Sequence, residues 1–194
     1  MISIIKKSIL AGILIGLGVI INLQSEMPVM GALLFSFGLL TIINMQLNLY
    51  TGKIGFLKEL NYSPFTTMVF LITILIFNCI GIAATIGLYA LGNQSFIGII
   101  SAAAASKFAK TALTLFINAC FCGALIHFAV KNKVTILTIF AVMIFILIGA
   151  EHCIADFPYL LFNLSPINVL KFAFIVLGNS IGAILIERLS KYNE

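Results

Sequence analysis

The stretch "ILIGAEHCIADFPYL", residues 146–160, sets a glutamate and a histidine side by side in a run otherwise rich in Ile, Leu, Phe and Ala. The solvent around that run decides what the pair can be. The chain is 62 % hydrophobic and 9 % charged, with a mean hydropathy of +1.20. No segment is polar and long enough to fold as a separate soluble domain, so the composition is that of an integral membrane protein. A strong charge facing lipid costs roughly 2.5–3.5 kcal/mol on insertion scales. Glu151 and His152 are therefore expected to face a protein interior or a water path.

Working outward, apolar runs fall at about 8–23, 28–49, 64–91, 108–130, 134–150 and 167–187. Each is near the roughly 20 residues that a helical span requires. The expected fold is all-α, with six transmembrane helices in a single domain over residues 1–194. The first run follows Lys6 and Lys7, yet no small-residue cleavage site leads into a soluble mature protein, so it reads as a span and not as a signal peptide. The formal charge of +5 reflects topology and not nucleic-acid binding, because Lys and Arg sit at the ends of apolar runs. With the N-terminus inside, Lys6, Lys7, Lys53, Lys58, Lys131, Lys133, Arg188 and Lys191 fall on the cytoplasmic side. Lys107, Lys110 and Lys171 fall outside. Both termini are then cytoplasmic. Cys79, Cys120, Cys122 and Cys153 lie in apolar segments without disulfide or metal spacing and read as packing residues; no metal and no cofactor is expected.

Two runs end in a polar knot followed by a short apolar piece: "YTGKIGFLKEL" after residue 49 and "EHCIADFPYLLF" after residue 150. Both look like broken helices, the second and the fifth. A shift of 101 residues lays "NCIG" (78–81) on "NSIG" (179–182) and Thr51 on His152. Three spans per half make the halves, about 1–92 and 105–194, an inverted 3+3 repeat whose broken helices face each other. In that arrangement Thr51 and His152 line a polar pathway, while Asn78 and Asn179 support it. The plain alternative for His152 is a neutral imidazole that satisfies unwound backbone. Glu151 points away from its neighbour on a helix and is expected to bond the freed N–H groups of the break. Lys107 and Lys110, one turn apart at the outer start of the fourth span, read as snorkelling ends, with Lys107 alternatively lending positive potential to a pore mouth. His127 reads as an interfacial residue, and Asp156 needs a partner that sequence does not supply.

Together "ALLFSFGLLTIINMQLNLYTG", "GAEHCIADF" and "VLGNSIGA" resemble the formate/nitrite transporter family, which includes hydrosulfide channels, over nearly the whole chain. Leu49-Tyr50-Thr51-Gly52 matches the family's second-span knot, and residues 150–156 match its fifth-span knot around the Glu-His pair. The resemblance implies an aquaporin-like fold, a homopentamer and one pore per protomer. It places Phe35, Leu39 and Phe145 at an outer constriction, Leu49 at an inner one and Lys107 in the vestibule. Departures from the family pattern at residues 46–48, Gly123, His127 and Asp156 bear on selectivity. The expected function is a membrane channel or transporter, not an enzyme, for small monovalent weak-acid anions of the formate, nitrite or hydrosulfide class. These would cross as the neutral acid or with a proton. The expected location is a bacterial inner membrane, and the partners are the anion or its conjugate acid, protons, the lipid bilayer and sister subunits. Two rivals are a non-transporting membrane scaffold and an intramembrane enzyme using Glu151 and His152; adjacent residues diverge on a helix, which weighs against the second.

Overall fold

Small residues decide how the long helices pair. In the computed structural model, which describes residues 1–132 and 134–191, Lys133 lies outside the described residues, so its inner-side assignment does too. The chain runs through α1 (Ile2–Gln24), α2 (Pro28–Asn44), α3 (Tyr50–Lys53), a 3-10 segment (Ile54–Leu60), α4 (Pro64–Gly92), α5 (Gln94–Ala109), α6 (Ala112–Asn132), α7 (Thr135–Leu147), α8 (Cys153–Phe162) and α9 (Pro166–Ser190). A Cβ on Gly12 of α1 would strike the backbone carbonyl of Asn78 in α4, and one on Gly81 would strike the carbonyl of Ile9. The same happens between α6 and α9, where Gly123 abuts the carbonyl of Asn179 and Gly182 that of Cys120. Both helix pairs thus cross backbone to backbone, the close approach that small residues permit in lipid. Gly87, by contrast, faces open space and takes no part in a crossing.

Helices α1, α4, α6 and α9 are long and apolar enough to cross a membrane on their own. Helices α2 and α7 are shorter, 17 and 13 residues, or roughly 26 and 20 Å at 1.5 Å per residue. The second and fifth apolar runs are interrupted at residues 45–49 and 148–152; the second break falls on the polar knot at Glu151 and His152, while the first precedes its expected place, lying before the knot that begins at Tyr50, which is itself helical. Because α7 stops at Leu147, His152 does not continue a straight helix from Val134 past the bilayer midplane; it begins a new one.

The two breaks share one hydrogen-bond pattern. After α2, the N–H groups of Met45, Gln46 and Leu47 donate to Thr41, Ile43 and Ile42; after α7, those of Ile148, Gly149 and Ala150 donate to Ile144, Ile146 and Phe145. Gln46 (φ 51°) and Gly149 (φ 69°) hold the left-handed position, as in the Schellman ending of a helix. Each break is then clamped by an asparagine from a neighbouring helix. Asn78 accepts from the N–H of Tyr50 (2.9 Å) and donates to the carbonyls of Asn48 (2.8 Å) and Ser8 (2.7 Å). Asn179 accepts from the N–H of Cys153 (2.8 Å) and donates to the carbonyls of Glu151 and Ala119 (both 2.8 Å).

These bonds correct the register expected from the 101-residue shift. They equate Gln46 with Gly149, Asn48 with Glu151 and Tyr50 with Cys153, so the counterpart of His152 is Leu49, and that of Thr51 is Ile154. Both Leu49 and His152 are helix N-caps in extended backbone. The shift that aligns the asparagines is two residues too short at the breaks, because the second half is two residues shorter between knot and clamp. A second correction concerns the fourth run. Residues 94–109 form a separate helix, α5, with Phe96, Ile100, Ala104 and Phe108 buried along one stripe, and the Ala-rich run 102–105 favours it. Lys107 therefore sits in the last turn of α5, and Lys110 caps it; neither begins the fourth span.

Replacing Asn179 with Leu is expected to leave the Cys153 N–H and the Glu151 carbonyl unpaired, at about 1–3 kcal/mol for each group. The check is a lowered midpoint of thermal unfolding in detergent. Gly182→Leu should lower the same midpoint by overpacking at about 1–3 kcal/mol, while Gly87→Leu should leave it nearly unchanged.

Candidate functional site

Two cavities open toward the breaks from opposite ends of α6. The outer one, about 140 Å³, is lined by Lys107, Lys110, Asp156 and Tyr159 at its rim and by Phe35, Phe145 and His152 deeper in. The inner one, about 490 Å³, is lined by Leu39, Ile42, Leu49, Gly52, Lys53 and Val130 among others. The two share no lining residue. Between them lie side chains that are almost wholly buried: Phe35, Leu39, Leu49, Thr51, Phe145 and His152. The rings of Phe35 and Phe145 meet edge to face with centroids 5.9 Å apart, an arrangement favoured by the ring quadrupoles. Leu39, one turn further along α2 from Phe35, roughly 6 Å away, lines the inner cavity with Leu49.

Thr51 and His152 do meet. Thr51 Oγ1 lies 2.9 Å from His152 Nε2, and both residues are buried. The tautomer follows from the other ring nitrogen. Nδ1 of His152 accepts the N–H of Ala155 at 3.3 Å, capping the first turn of α8. A neutral ring with Nδ1 accepting carries its proton on Nε2, which then donates to Thr51 Oγ1. His152 thus serves its own helix and the opposite break at once, and its ring stands 6.1 Å from that of Phe145.

Glu151 departs from expectation. Among the described residues its carboxylate bonds no backbone N–H; it pairs with Lys107 and, at 2.7 Å, with Lys110. The physical reason is that Asn179 already clamps the break, which frees the carboxylate to compensate cations that end α5. Lys110, expected at the headgroups, is drawn in by the same contact. Lys107 also reaches Asp156 Oδ1 at 2.9 Å and lies 5.0 Å from the ring centre of Tyr159. Two lysines thus face two carboxylates, all within reach of the outer cavity.

At the other end of α6, His127 is fully buried. Its Nε2 lies 2.8 Å from Glu187, its ring stacks 4.5 Å from Phe56, and Glu187 also holds Lys131 (3.0 Å) and Lys191 (2.6 Å). Lys191, beyond the end of α9, is held above the usual lysine range by its hydrogen bond to Glu187. Sequence reasoning missed Glu187 altogether, although a carboxylate that closes an apolar run was the available signal. Among the described residues no group of His, Cys, Asp and Glu could hold a metal ion.

Comparison with known proteins places this geometry. No curated protein matches the chain by sequence. Among solved structures, the chain superposes on one described as "FNT family ion channel" with a TM-score of 0.76 at 21 % identity, covering 96 % of this chain and 86 % of that one. It superposes on a "Pentameric formate channel with formate bound" with a TM-score of 0.72 at 18 % identity, covering 96 % and 92 %. At such identities the likeness establishes the fold. The family model described as "Formate/nitrite transporter" matches residues 1–192, very nearly the whole chain, and the protein belongs to that family.

Proposed function

We propose that the chain is a membrane channel for small monovalent weak acids of the formate, nitrite or hydrosulfide class, and that solute crosses the centre of each protomer as the neutral acid. The observation that carries this reading is the pair of cavities facing each other across the Thr51–His152 contact, with apolar walls of Phe35 and Phe145 on one side and Leu39 and Leu49 on the other. In this reading α2 with α3, and α7 with α8, each make one interrupted span. Six spans result, in an inverted and aquaporin-like repeat with both termini in the cytoplasm. The recurrence of the same break and the same asparagine clamp in each half supports it. A homopentamer in a bacterial inner membrane is part of the proposal, motivated by the pentameric formate channel of like fold.

The chemistry follows from solvation. Stripping water from an anion in a low-dielectric passage is costly, whereas the protonated acid loses far less. Lys107 and Lys110 draw the anion to the outer cavity. As it nears Phe35 and Phe145 it loses water, its proton affinity rises, and it passes on as the neutral acid. His152 and Thr51 then offer polar contacts between the apolar walls. Glu151 fixes the lysines, and Asn78 and Asn179 hold the breaks open without themselves touching solute.

Uptake of formate, nitrite and hydrosulfide into proteoliposomes, each at two external pH values, tests the reading; faster uptake at the lower pH is the expected outcome. His152→Phe should cut flux by about tenfold or more, the equivalent of one lost buried hydrogen bond, with oligomer size unchanged. Unaltered flux and pH dependence in that variant would remove the imidazole from the pathway. Lys107→Glu, which turns the rim acidic, should slow anion entry, and an unaffected rate would end the role given to the rim lysines.

A further inference from the structure

Asp156 has no task in the pathway just proposed, yet it lines the outer cavity and is almost completely buried. Its Oδ1 holds Lys107 at 2.9 Å, and its Oδ2 is buried without a hydrogen-bond partner among the described residues. The backbone fixes it there, since its N–H donates to the carbonyl of His152 at 2.8 Å. It stands in the first turn of α8, where the helix dipole favours a negative charge. The ionisable groups that face it are Lys107 and Lys110 from the end of α5, Glu151 and His152 from the break, Cys153 and Tyr159 from its own helix, and Cys122 from α6.

The formal charges decide what the cavity admits. With both carboxylates ionised, Lys107 and Lys110 are matched by Glu151 and Asp156, and the rim carries no net charge. Remove the charge from Asp156 and one lysine charge is left uncompensated in a cavity of only about 140 Å³. A unit charge a few ångströms from a solute, in a medium less polar than water, outweighs the weaker contacts there.

We propose that Asp156 is a specificity-determining residue: ionised, it neutralises the rim and disfavours entry of the free anion; protonated on the unpartnered Oδ2, it leaves the rim with one net positive charge and admits the anion. Anion capture is thereby coupled to external acidity, at the step before desolvation. This rests on the pathway reading above.

The test is formate uptake by proteoliposomes of the full chain at pH 9 and pH 6, with Asp156→Asn, Lys110→Gln and the double variant beside the unaltered protein. Asp156→Asn should raise uptake at pH 9 by roughly fivefold and flatten the dependence on pH. Lys110→Gln should lower it by a similar factor, and the double variant, again without net rim charge, should return close to the unaltered rate at pH 9. A merely structural role for Asp156 predicts no such restoration. An Asp156→Asn rate and pH profile matching those of a conducting unaltered protein would overturn the inference and leave the pathway standing. Should Asp156→Asn fail to assemble, Asp156→Ser takes its place: faster uptake at the higher pH supports the inference and an unchanged rate and pH profile overturns it. No uptake by the unaltered protein at either pH would sink the pathway itself, and the inference with it.

Discussion

A peptide group without a partner in a dry environment costs several kcal/mol, and this fold interrupts two helices in its buried centre. Everything at that centre depends on where the freed N–H and carbonyl groups go. Asn78 and Asn179 answer the question in the same way, each taking one N–H and two carbonyls from the chain around it. A carboxamide suits the work because it donates and accepts without a charge to bury. With the clamps in place, the side chains at the breaks need not mend backbone. His152 and Thr51 can meet each other, and Glu151 can serve the lysines.

The glycine crossings complete the clamps. Asn78 can reach Ser8, and Asn179 can reach Ala119, because α1 lies against α4 and α6 against α9 with backbone in contact at Gly12, Gly81, Gly123 and Gly182. Packing and polar satisfaction are therefore one feature: a side chain larger than hydrogen at those crossings would push the amide groups away from what they bind. The exposed surface is the converse, with Phe65, Leu88 and Leu91 each more than 70 % exposed, as suits a chain whose surroundings are acyl chains.

Much of this was legible in the sequence. Hydropathy marked the apolar runs, and the polar knot after residue 150 marked the second interruption, whereas the first falls just before the knot that follows residue 49. The repeated "NCIG" and "NSIG" pointed to the two clamping asparagines. The register at the breaks was not legible, because a four-residue match fixes an alignment only where it lies, and two residues are lost between Glu151 and Asn179. Helix α5 was not legible because only the fold shows that Phe96, Ile100, Ala104 and Phe108 share one buried stripe apart from the helices on either side. The charge cluster escaped for a different reason: Lys107, Lys110, Glu151 and Asp156 are far apart in the chain, and only the fold reveals which carboxylate compensates which ammonium. Glu151 illustrates it, since its neighbours in sequence suggested a backbone role and its neighbours in space are lysines.

The difference between the two breaks has a structural consequence of its own. The side chains of equal rank at the centre are Leu49 and His152, an aliphatic group and an imidazole with nothing to exchange. Instead a hydroxyl from inside α3 meets the capping ring of α8. The bond that joins the halves is thus drawn between unlike positions. The residues at the matching positions, Ile154 and Leu49, are aliphatic, so this hydrogen bond takes one partner from each half of the chain and has no second version.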